Sequence, residues 1–183
     1  MARKQKVVDN LFNGLRSLLR SRKVTIVDGV GRLAGEGTVA VEGPDGTTTE
    51  LQGRHVILAA GSVPRTLPGF DIDGRLVVTS DELLSIEQLP ASAVVVGGGA
   101  IGCEFASMMS DLGTEVTILE ALPKILPGCD KDVADLVVRS FKKRGITIRT
   151  GVQVTGHTPK EDGSGTVVHL GGQGQTDDGG PPT

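Results

Sequence analysis

The sequence predicts an α/β fold, and three observations lead to that prediction. Apolar strands alternate with helices between residues 93 and 149, which is the order expected of parallel βαβ units. Within that stretch, the glycine-rich segment 97–102 joins a strand to a helix. Earlier in the chain, Pro-Asp-Gly at 44–46 separates two short apolar segments and predicts a β-hairpin.

The first part of the chain is predicted to hold a helix, a hairpin and two buried strands. Apolar residues recur at helical spacing over residues 4–20. They are Val7, Val8, Leu11, Leu15, Leu18 and Leu19. The apolar segments 23–29 and 54–59 each end in or near glycine and predict strands. Proline and glycine in residues 63–75 indicate an irregular connection.

The second part is predicted to be a run of strands and helices. Glycine follows the helix ends at positions 113 and 145, as expected of C-terminal caps. The predicted elements are the hairpin strands 38–41 and 48–51, a short helix opening at Ser80, strands 93–96, 115–119 and 146–149, and helices 100–112 and 130–144. The polar tail, residues 171–183, is predicted to be disordered because it cannot bury apolar surface.

Composition narrows the classes of function. The chain has 183 residues, with 19 Lys and Arg against 22 Asp and Glu, for a net charge of −3. That balance argues against a nucleic-acid-binding surface. Two cysteines and three histidines do not cluster at metal-ligand spacing, so we expect no metal site. No apolar run is long enough for a membrane span, and we expect a reduced, cytoplasmic protein.

The glycine-rich segment is the strongest chemical signal. Gly97 permits a tight turn after the strand, and Gly99 lacks a Cβ that would keep a pyrophosphate away from the backbone. Gly102 allows the helix to pack closely on the strand. The N–H groups at the helix N-terminus favour an anion. These features predict a dinucleotide site of Rossmann type; the alternative is a glycine-rich turn that binds nothing.

A carboxylate stands where such a site needs one. Glu120 ends the next predicted strand, 23 positions after Gly97 (120 − 97), and is placed to accept hydrogen bonds from the adenosine ribose. It would repel a 2′-phosphate, and Ala121 and Leu122 supply no arginine to attract one. This pattern favours NAD over NADP.

Together these motifs resemble a known family. The residues that carry the resemblance are 29–33, 56–62, 64, 67–69, 77–81, 89–90, 94–104, 113–120 and 125–127. Over about residues 1–170 the chain is similar to the dihydrolipoyl dehydrogenases, which are glutathione-reductase-like pyridine nucleotide–disulfide oxidoreductases. The resemblance implies a partial FAD/NAD(P)-binding fold: a three-layer Rossmann-type NAD domain and a hairpin-containing remnant of an FAD domain. It implies that residues 1–75 are the C-terminal portion of the FAD domain and residues 76–170 an incomplete NAD domain.

The resemblance also assigns site residues. For NAD it implies Gly97, Gly98, Gly99, Ala100, Ile101, Gly102, Cys103, Glu104, Glu120 and Val154. For FAD it implies Gly31, Ala60, Gly61 and Ser62. Glu104 matches a family carboxylate beside the flavin and is the candidate catalytic residue; read alone, it is a carboxylate in the first turn of a helix, where the dipole favours it. The implied partner is the lipoyl domain of 2-oxoacid dehydrogenase complexes.

Several family features are missing from this sequence. It has no second GxGxxG fingerprint for FAD, no CxxxxC redox pair, and no histidine followed five residues later by glutamate. Cys103 and Cys129 are 26 positions apart and do not replace that pair. We expect a fragment that is inactive alone and whose dimerisation is doubtful. Two alternatives are a non-catalytic NAD-binding or interaction module and a self-contained Rossmann dehydrogenase of another type.

Overall fold

The computed structural model describes residues 2–171 and the backbone of residues 175–176. The chain divides into two compact units, Met1–Val63 and Pro64–Thr183. The boundary at 75/76 implied by the family resemblance stays a prediction, since compact units are not cofactor domains. Residues 64–75 belong to the second unit because Phe70 stacks on His157, with ring centroids 5.3 Å apart. The predicted α/β class is confirmed, and each unit is described separately.

The first unit contains one helix and one three-stranded sheet. Helix α1 spans Ala2–Ser21, and the strands are β1 (Val30–Gly35), β2 (Thr38–Glu42) and β3 (Thr48–Gln52). The order is β1-β2-β3, with both pairs antiparallel. In the turn before β3, Asp45 Oδ1 accepts hydrogen bonds from the amide and hydroxyl of Thr47. The predicted helix and hairpin are both confirmed.

Two predicted strands of the first unit do not form. Residues 23–29 and 54–59 have no strand structure, and none of their side chains is buried: Ile26 is half-buried and the other apolar side chains are exposed. Ile57, for example, is 89% exposed. A strand requires a neighbour that completes its hydrogen-bond ladder, and the described residues provide none for these segments. Helix α1 likewise buries none of its side chains in the described structure.

The second unit is built on a parallel sheet. Its strands are β4 (Ser92–Val96), β5 (Glu115–Glu120), β6 (Thr147–Thr150) and β9 (Gln175–Thr176), in the order β4-β5-β6-β9. The first three are parallel and β9 is antiparallel to β6. The remaining elements are α2 (Ser80–Leu83), α3 (Ala100–Asp111), α4 (Lys131–Lys143), β7 (Gln153–Pro159) and β8 (Thr166–Gly171). Strands β7 and β8 form an antiparallel hairpin that was not predicted.

The core of this unit lies where α3 and α4 cover the sheet. It contains Cys103, Ala106 and Met109 from α3, Phe141 from α4, Val116 and Ile118 from β5, Ile148 from β6, and the loop residues Ile125 and Ile146. Each of the larger side chains contributes roughly 1.5–3 kcal/mol to the stability of the fold when it is fully buried. The core therefore fixes the strand-to-helix turns that carry the predicted site.

Strand β4 lies at the edge of its sheet. In the part of the chain that the structure describes, one of its sides pairs with β5 in parallel register and the other pairs with no strand. Its side chains alternate between exposed and half-buried, and Val94 is 45% exposed. The sequence predicted a buried strand here. A parallel strand is buried on both faces when helices or another sheet pack against each face. Strand β4 lacks full cover of this kind and is therefore half exposed.

Arg144 connects the two helices that cover the sheet. It follows α4 and reaches α3, where Nη1 donates to Ser107 Oγ at 2.8 Å and Nη2 to the Ser107 carbonyl at 2.6 Å. Nη2 also lies 2.7 Å from Asp111 Oδ1. These contacts hold the C-terminal halves of α3 and α4 together.

Of α2, α3 and α4, only α2 begins with a side-chain cap. Thr79 and Glu82 form a capping box there, and the helix opens at Ser80 as predicted. Asp130 stands at the N-cap of α4, but its side chain makes no capping bond. No helix among the described residues is long and apolar enough to cross a membrane.

The tail differs from its predicted disorder at three positions. Gly171 ends β8, and Gln175–Thr176 form β9. The other residues of 171–183 lie outside the described part of the chain.

Candidate functional site

The glycine-rich turn sits between the end of β4 and the start of α3. Gly97 has a φ of +108°, a conformation that side chains other than glycine rarely adopt. Its amide donates to the Leu119 carbonyl on β5 at 2.8 Å. The turn is therefore attached to the neighbouring parallel strand at its first residue, as the predicted tight turn requires.

Gly98 is hydrogen-bonded through both its amide and its carbonyl. Its amide donates to Glu120 Oε2 at 2.6 Å, and its carbonyl accepts a hydrogen bond from the Leu126 amide at 2.7 Å. The Cys103 thiol lies 3.5 Å from the same carbonyl. A Cβ on Gly98 would come within 2.6 Å of the Ile125 side chain. The N–H and the C=O of this buried glycine are thus both hydrogen-bonded to neighbouring residues.

Gly102 allows close packing within the protein, whereas Gly99 leaves open space outside it. A Cβ on Gly102 would lie 2.0 Å from the Gly97 carbonyl oxygen, so any side chain there would separate the helix from the turn. A Cβ on Gly99 would meet nothing within 4 Å. The backbone of Gly99 therefore faces open space, and its lack of a side chain leaves room for a group outside the protein. Both observations agree with the roles predicted for these glycines.

Helix α3 presents an uncapped N-terminus beside that space. Gly99 is its N-cap and makes no side-chain capping bond. The first amides of a helix have no partner within it, and the helix dipole makes this end partially positive. Ala100 and Ile101, the first two helical residues, are exposed. An anionic group can therefore approach the helix end over Gly99.

Glu120 closes the site on the side of β5. It is 9% exposed, and its Oε1 accepts a hydrogen bond from the Leu122 amide at 2.8 Å. Because Oε2 takes the Gly98 amide, each oxygen holds one backbone N–H and keeps further acceptor capacity. The carboxylate is therefore fixed in place and still able to accept hydroxyl hydrogen bonds.

Cys103 and Glu104 are adjacent in α3 but differ in exposure. Cys103 is buried, and burial, followed by the charges of Glu120 and Cys129, raises the pKa of its thiol to about 11. Glu104 is exposed and is the fifth residue of α3, outside the first turn. The expectation that it lies in the first turn is wrong.

The other residues predicted to contact NAD or FAD lie outside the glycine-rich turn, α3 and Glu120. Val154 is half-buried on β7, two residues after Val152, whose amide donates to the Glu120 carbonyl at 3.1 Å. The residues predicted to contact FAD belong to the first unit and are all exposed. They are Gly31 on β1 and Ala60, Gly61 and Ser62 in an irregular segment. Among the described residues they form no enclosed cradle for a flavin.

Sequence reasoning missed the residues that support Gly98. Ile125 packs against it, Leu126 binds its carbonyl, and Leu122 binds the carboxylate that holds its amide. Leu126 has a φ of +51°, which is uncommon for leucine. The available signal was the Ile-Leu-Pro segment at 125–127, which the family resemblance had included without a role.

The geometry suits a nucleotide diphosphate and offers nothing to a metal. Open backbone at Gly99, an uncapped helix end and a fixed carboxylate at Glu120 fit the pyrophosphate and ribose of a dinucleotide. In the part of the chain that the structure describes, no three His, Cys, Asp or Glu side chains come together as metal ligands.

Comparison with known proteins identifies a protein family that matches the chain and solved structures that share its fold. Residues 2–178 match the pyridine nucleotide-disulphide oxidoreductase family. A dihydrolipoyl dehydrogenase of Bacillus subtilis is 39% identical over 182 residues, 95% of this chain. The crystal structure of LpdA from Mycobacterium tuberculosis is similar with a TM-score of 0.81, 27% identity and 99% of this chain covered. RclA of Escherichia coli, described as an HOCl-induced flavoprotein disulfide reductase, gives a TM-score of 0.75 at 28% identity over 95% of this chain.

The chain spans a minor part of these proteins. It covers 38% of the Bacillus subtilis protein and 39% of each of the two structures.

Proposed function

The chain belongs to the pyridine nucleotide-disulphide oxidoreductase family, and we propose that its second unit binds NAD within a flavin-dependent enzyme of the dihydrolipoyl dehydrogenase type. The single observation that carries the nucleotide site is the Gly98–Glu120 hydrogen bond of 2.6 Å beside the open backbone of Gly99. Members of the family use flavin and pyridine nucleotide cofactors. Bound NAD would supply a hydride acceptor at this site.

Each residue of the turn has a binding role in this proposal. Gly97 shapes the turn, Gly99 admits the pyrophosphate, and Gly102 keeps α3 close to β4. The first amides of α3, beginning at Ala100 and Ile101, donate to the phosphate oxygens. Cys103 fills the core beneath the turn and contacts the nucleotide only through Gly98.

Glu120 sets the choice of nucleotide. Its carboxylate accepts hydrogen bonds from the ribose hydroxyls and repels a 2′-phosphate, which favours NAD. Ala121 and Leu122 follow it, so the adjacent chain brings no cation toward that phosphate. Val154 is proposed to lie on the adenine side, because β7 begins directly after the segment that binds the Glu120 carbonyl.

The activity of the parent enzyme is a proposal that rests on the relatives. Several curated relatives are named dihydrolipoyl dehydrogenase, including the one from Bacillus subtilis. We propose that dihydrolipoyl groups, carried by the lipoyl domain of a 2-oxoacid dehydrogenase complex, are oxidised and NAD is reduced. Glu104 is the proposed carboxylate on the flavin side; its exposure leaves it free to face another segment.

Both cysteines are unpaired, and we propose a cytoplasmic location on that ground.

We propose that this chain has no such turnover by itself. The exposed positions of Gly31 and Ala60–Ser62 do not fit a flavin cradle, and no step through a flavin is assigned to them. The two cysteines are not a CxxxxC pair. These observations also favour the second candidate, a non-catalytic NAD-binding module, for the chain in isolation.

Calorimetric titration tests the nucleotide site directly. NAD and NADP are titrated in parallel into the purified chain and into Gly99→Val. We expect NAD to bind more tightly than NADP and the variant to lose binding of both, because a side chain at Gly99 fills the space left for the pyrophosphate. The absence of NAD binding to the folded parent chain would contradict the proposal.

A turnover assay separates the two candidate functions. Dihydrolipoamide and NAD are supplied to the chain with added FAD, and NADH is followed by absorbance. We expect nucleotide binding without NADH formation. Steady NADH formation would show that the chain contains a complete active site and would overturn the proposed inactivity.

A further inference from the structure

The two cysteines lie on the two segments that hold the Gly98 peptide. Cys103 Sγ is 3.5 Å from the Gly98 carbonyl oxygen. The Leu126 amide binds the same oxygen at 2.7 Å, and the Cys129 amide binds the Leu126 carbonyl at 2.9 Å. The two cysteines are therefore linked through one carbonyl and one four-residue turn, although they are 26 positions apart in sequence.

The two thiols differ in access. Cys129 is exposed, whereas Cys103 is 5% exposed. The pKa of the Cys103 thiol is raised to about 11 chiefly by burial, with Cys129 as one of the contributing charges. Cys129 is thus the thiol that a reagent in solution meets first, whereas Cys103 is buried in the core.

The turn that carries Cys129 is strained. Leu126 holds a φ of +51°, which is an unfavourable conformation for a residue that is not glycine. Its two backbone hydrogen bonds, to Gly98 and from Cys129, maintain that conformation. A covalent bond at Cys129 would act on this turn and, through Leu126, on Gly98.

We propose that a low-molecular-weight disulfide oxidises Cys129 and Cys103 to an intrachain disulfide that loosens the Gly98 turn. The new bond turns the Cys103 sulfur away from the Gly98 carbonyl and draws the Leu126–Cys129 turn toward α3. Gly98 then loses one or both of the contacts that hold its carbonyl. The nucleotide loop becomes sensitive to the thiol–disulfide balance of its surroundings.

The chemistry balances in two exchange steps. The Cys129 thiolate attacks one sulfur of the small disulfide, forming a mixed disulfide and releasing one small thiolate. Cys103 then gives its proton to solvent, which its pKa of about 11 makes infrequent at neutral pH, and its thiolate attacks the Cys129 sulfur and releases the second small thiolate. Two protein thiols lose two protons and two electrons, and the small disulfide gains them as two thiols.

Peptide mapping tests whether the bond forms. The full chain is incubated with oxidised glutathione, the free thiols are blocked, and the protein is digested with trypsin. Cleavage after Arg75, Lys124 and Lys131 places the two cysteines in separate peptides, 76–124 and 125–131. We expect these peptides to be joined and to separate on reduction. A stable glutathione adduct on Cys129 with Cys103 still free, or disulfides only between chains, would overturn the proposal.

Hydrogen exchange tests whether the turn loosens. We expect amides in segment 97–103 to exchange faster in the oxidised chain than in the reduced chain. Cys129→Ser, which keeps the backbone contacts and cannot form the bond, should show no change with glutathione. Unchanged exchange in a chain shown to carry the disulfide would overturn the proposed effect on Gly98.

The effect on nucleotide affinity rests on the proposed function. We expect oxidation to weaken NAD binding by about fivefold or more, a typical coupling between two sites. If the reduced chain fails to bind NAD, the proposed function fails, whereas the peptide map and hydrogen exchange still decide the disulfide proposal.

Discussion

The Gly98 amide and the Glu120 carboxylate, 22 positions apart, meet at 2.6 Å. This hydrogen bond joins the turn after β4 to the end of β5, and its acceptor is charged, which makes it stronger than a neutral pair. The carboxylate that faces the proposed ribose therefore also holds the turn in shape. Loss of its charge should affect binding and folding together.

Replacement of Glu120 by glutamine tests this double role. The amide can accept from Gly98 or from Leu122 but no longer from both, because one oxygen becomes a donor. We expect unfolding to become easier by about 1–3 kcal/mol and NAD affinity to fall by about tenfold or more. Urea unfolding and calorimetry measure the two effects.

The matched control for that variant is Glu115→Gln. Glu115 is an exposed carboxylate at the opposite end of β5. It should change stability by less than about 0.5 kcal/mol and leave NAD affinity unchanged. Equal behaviour of the two variants would show that Glu120 acts only through the overall charge of the chain.

Alanine at Gly99 and at Gly102 should have opposite consequences. Gly102→Ala places a methyl group where the Gly97 carbonyl lies 2.0 Å away, and we expect loss of cooperative unfolding or a destabilisation of several kcal/mol. Gly99→Ala meets open space in the free chain, so its unfolding midpoint should stay close to that of the parent while NAD affinity falls. Circular dichroism melts and calorimetry distinguish the pair; equal melts for both variants would contradict the packing described here.

Stability should fall in alkaline solution because of Cys103. Burial raises the pKa of this thiol to about 11 from its ordinary value of 9.0. The folded state therefore holds the proton more tightly than the unfolded state, and its contribution to stability is complete below pH 9 and is lost as pH rises toward 11. Unfolding free energies across this range, measured with a reductant, should decline more steeply for the parent chain than for Cys103→Ala. Parallel curves would contradict a buried, neutral thiol.

The exposed apolar face of α1 should bind hydrophobic dyes. Leu11 is 70% and Leu15 is 55% exposed, and neither packs against other described residues closely enough to be buried. We expect Leu11→Glu/Leu15→Glu to lower the fluorescence of bound 8-anilinonaphthalene-1-sulfonate without lowering the unfolding midpoint.

Asn13→Glu is the control for that variant because it adds charge to an exposed polar position of α1. It should leave dye fluorescence nearly unchanged. A fall in the unfolding midpoint for the leucine variant alone would mean that the α1 face is packed within the chain.

The sequence predicted the shape of the glycine-rich turn because its determinants are local; nucleotide binding there stays a prediction. Gly97, Gly99 and Gly102 each have a backbone or packing reason to be glycine, and these reasons operate within a strand–turn–helix segment. Glu120 was predictable because the length of one βαβ unit fixes where the second strand ends. The contact between Glu120 and Gly98 follows from the same parallel register.

The remaining differences arise from interactions distant in sequence. Segments 23–29 and 54–59 are apolar enough to be strands, yet a strand needs a partner that local composition does not reveal. The support given to Gly98 by Ile125 and Leu126 depends on how the loop after β5 folds back. The β7–β8 hairpin is the exception, because the Asp162-Gly163 turn between its strands is a local signal.

All the contacts that hold Gly98 come from residues no later than Leu126. During synthesis, this part of the chain is therefore complete before α4, β6 and the β7–β8 hairpin exist. Closing a loop of this length costs little more than closing a shorter one, since the entropy grows only with the logarithm of length. The hydrogen bonds around Gly98 can thus form on the ribosome before Phe141 and Ile148 complete the core that fixes the turn.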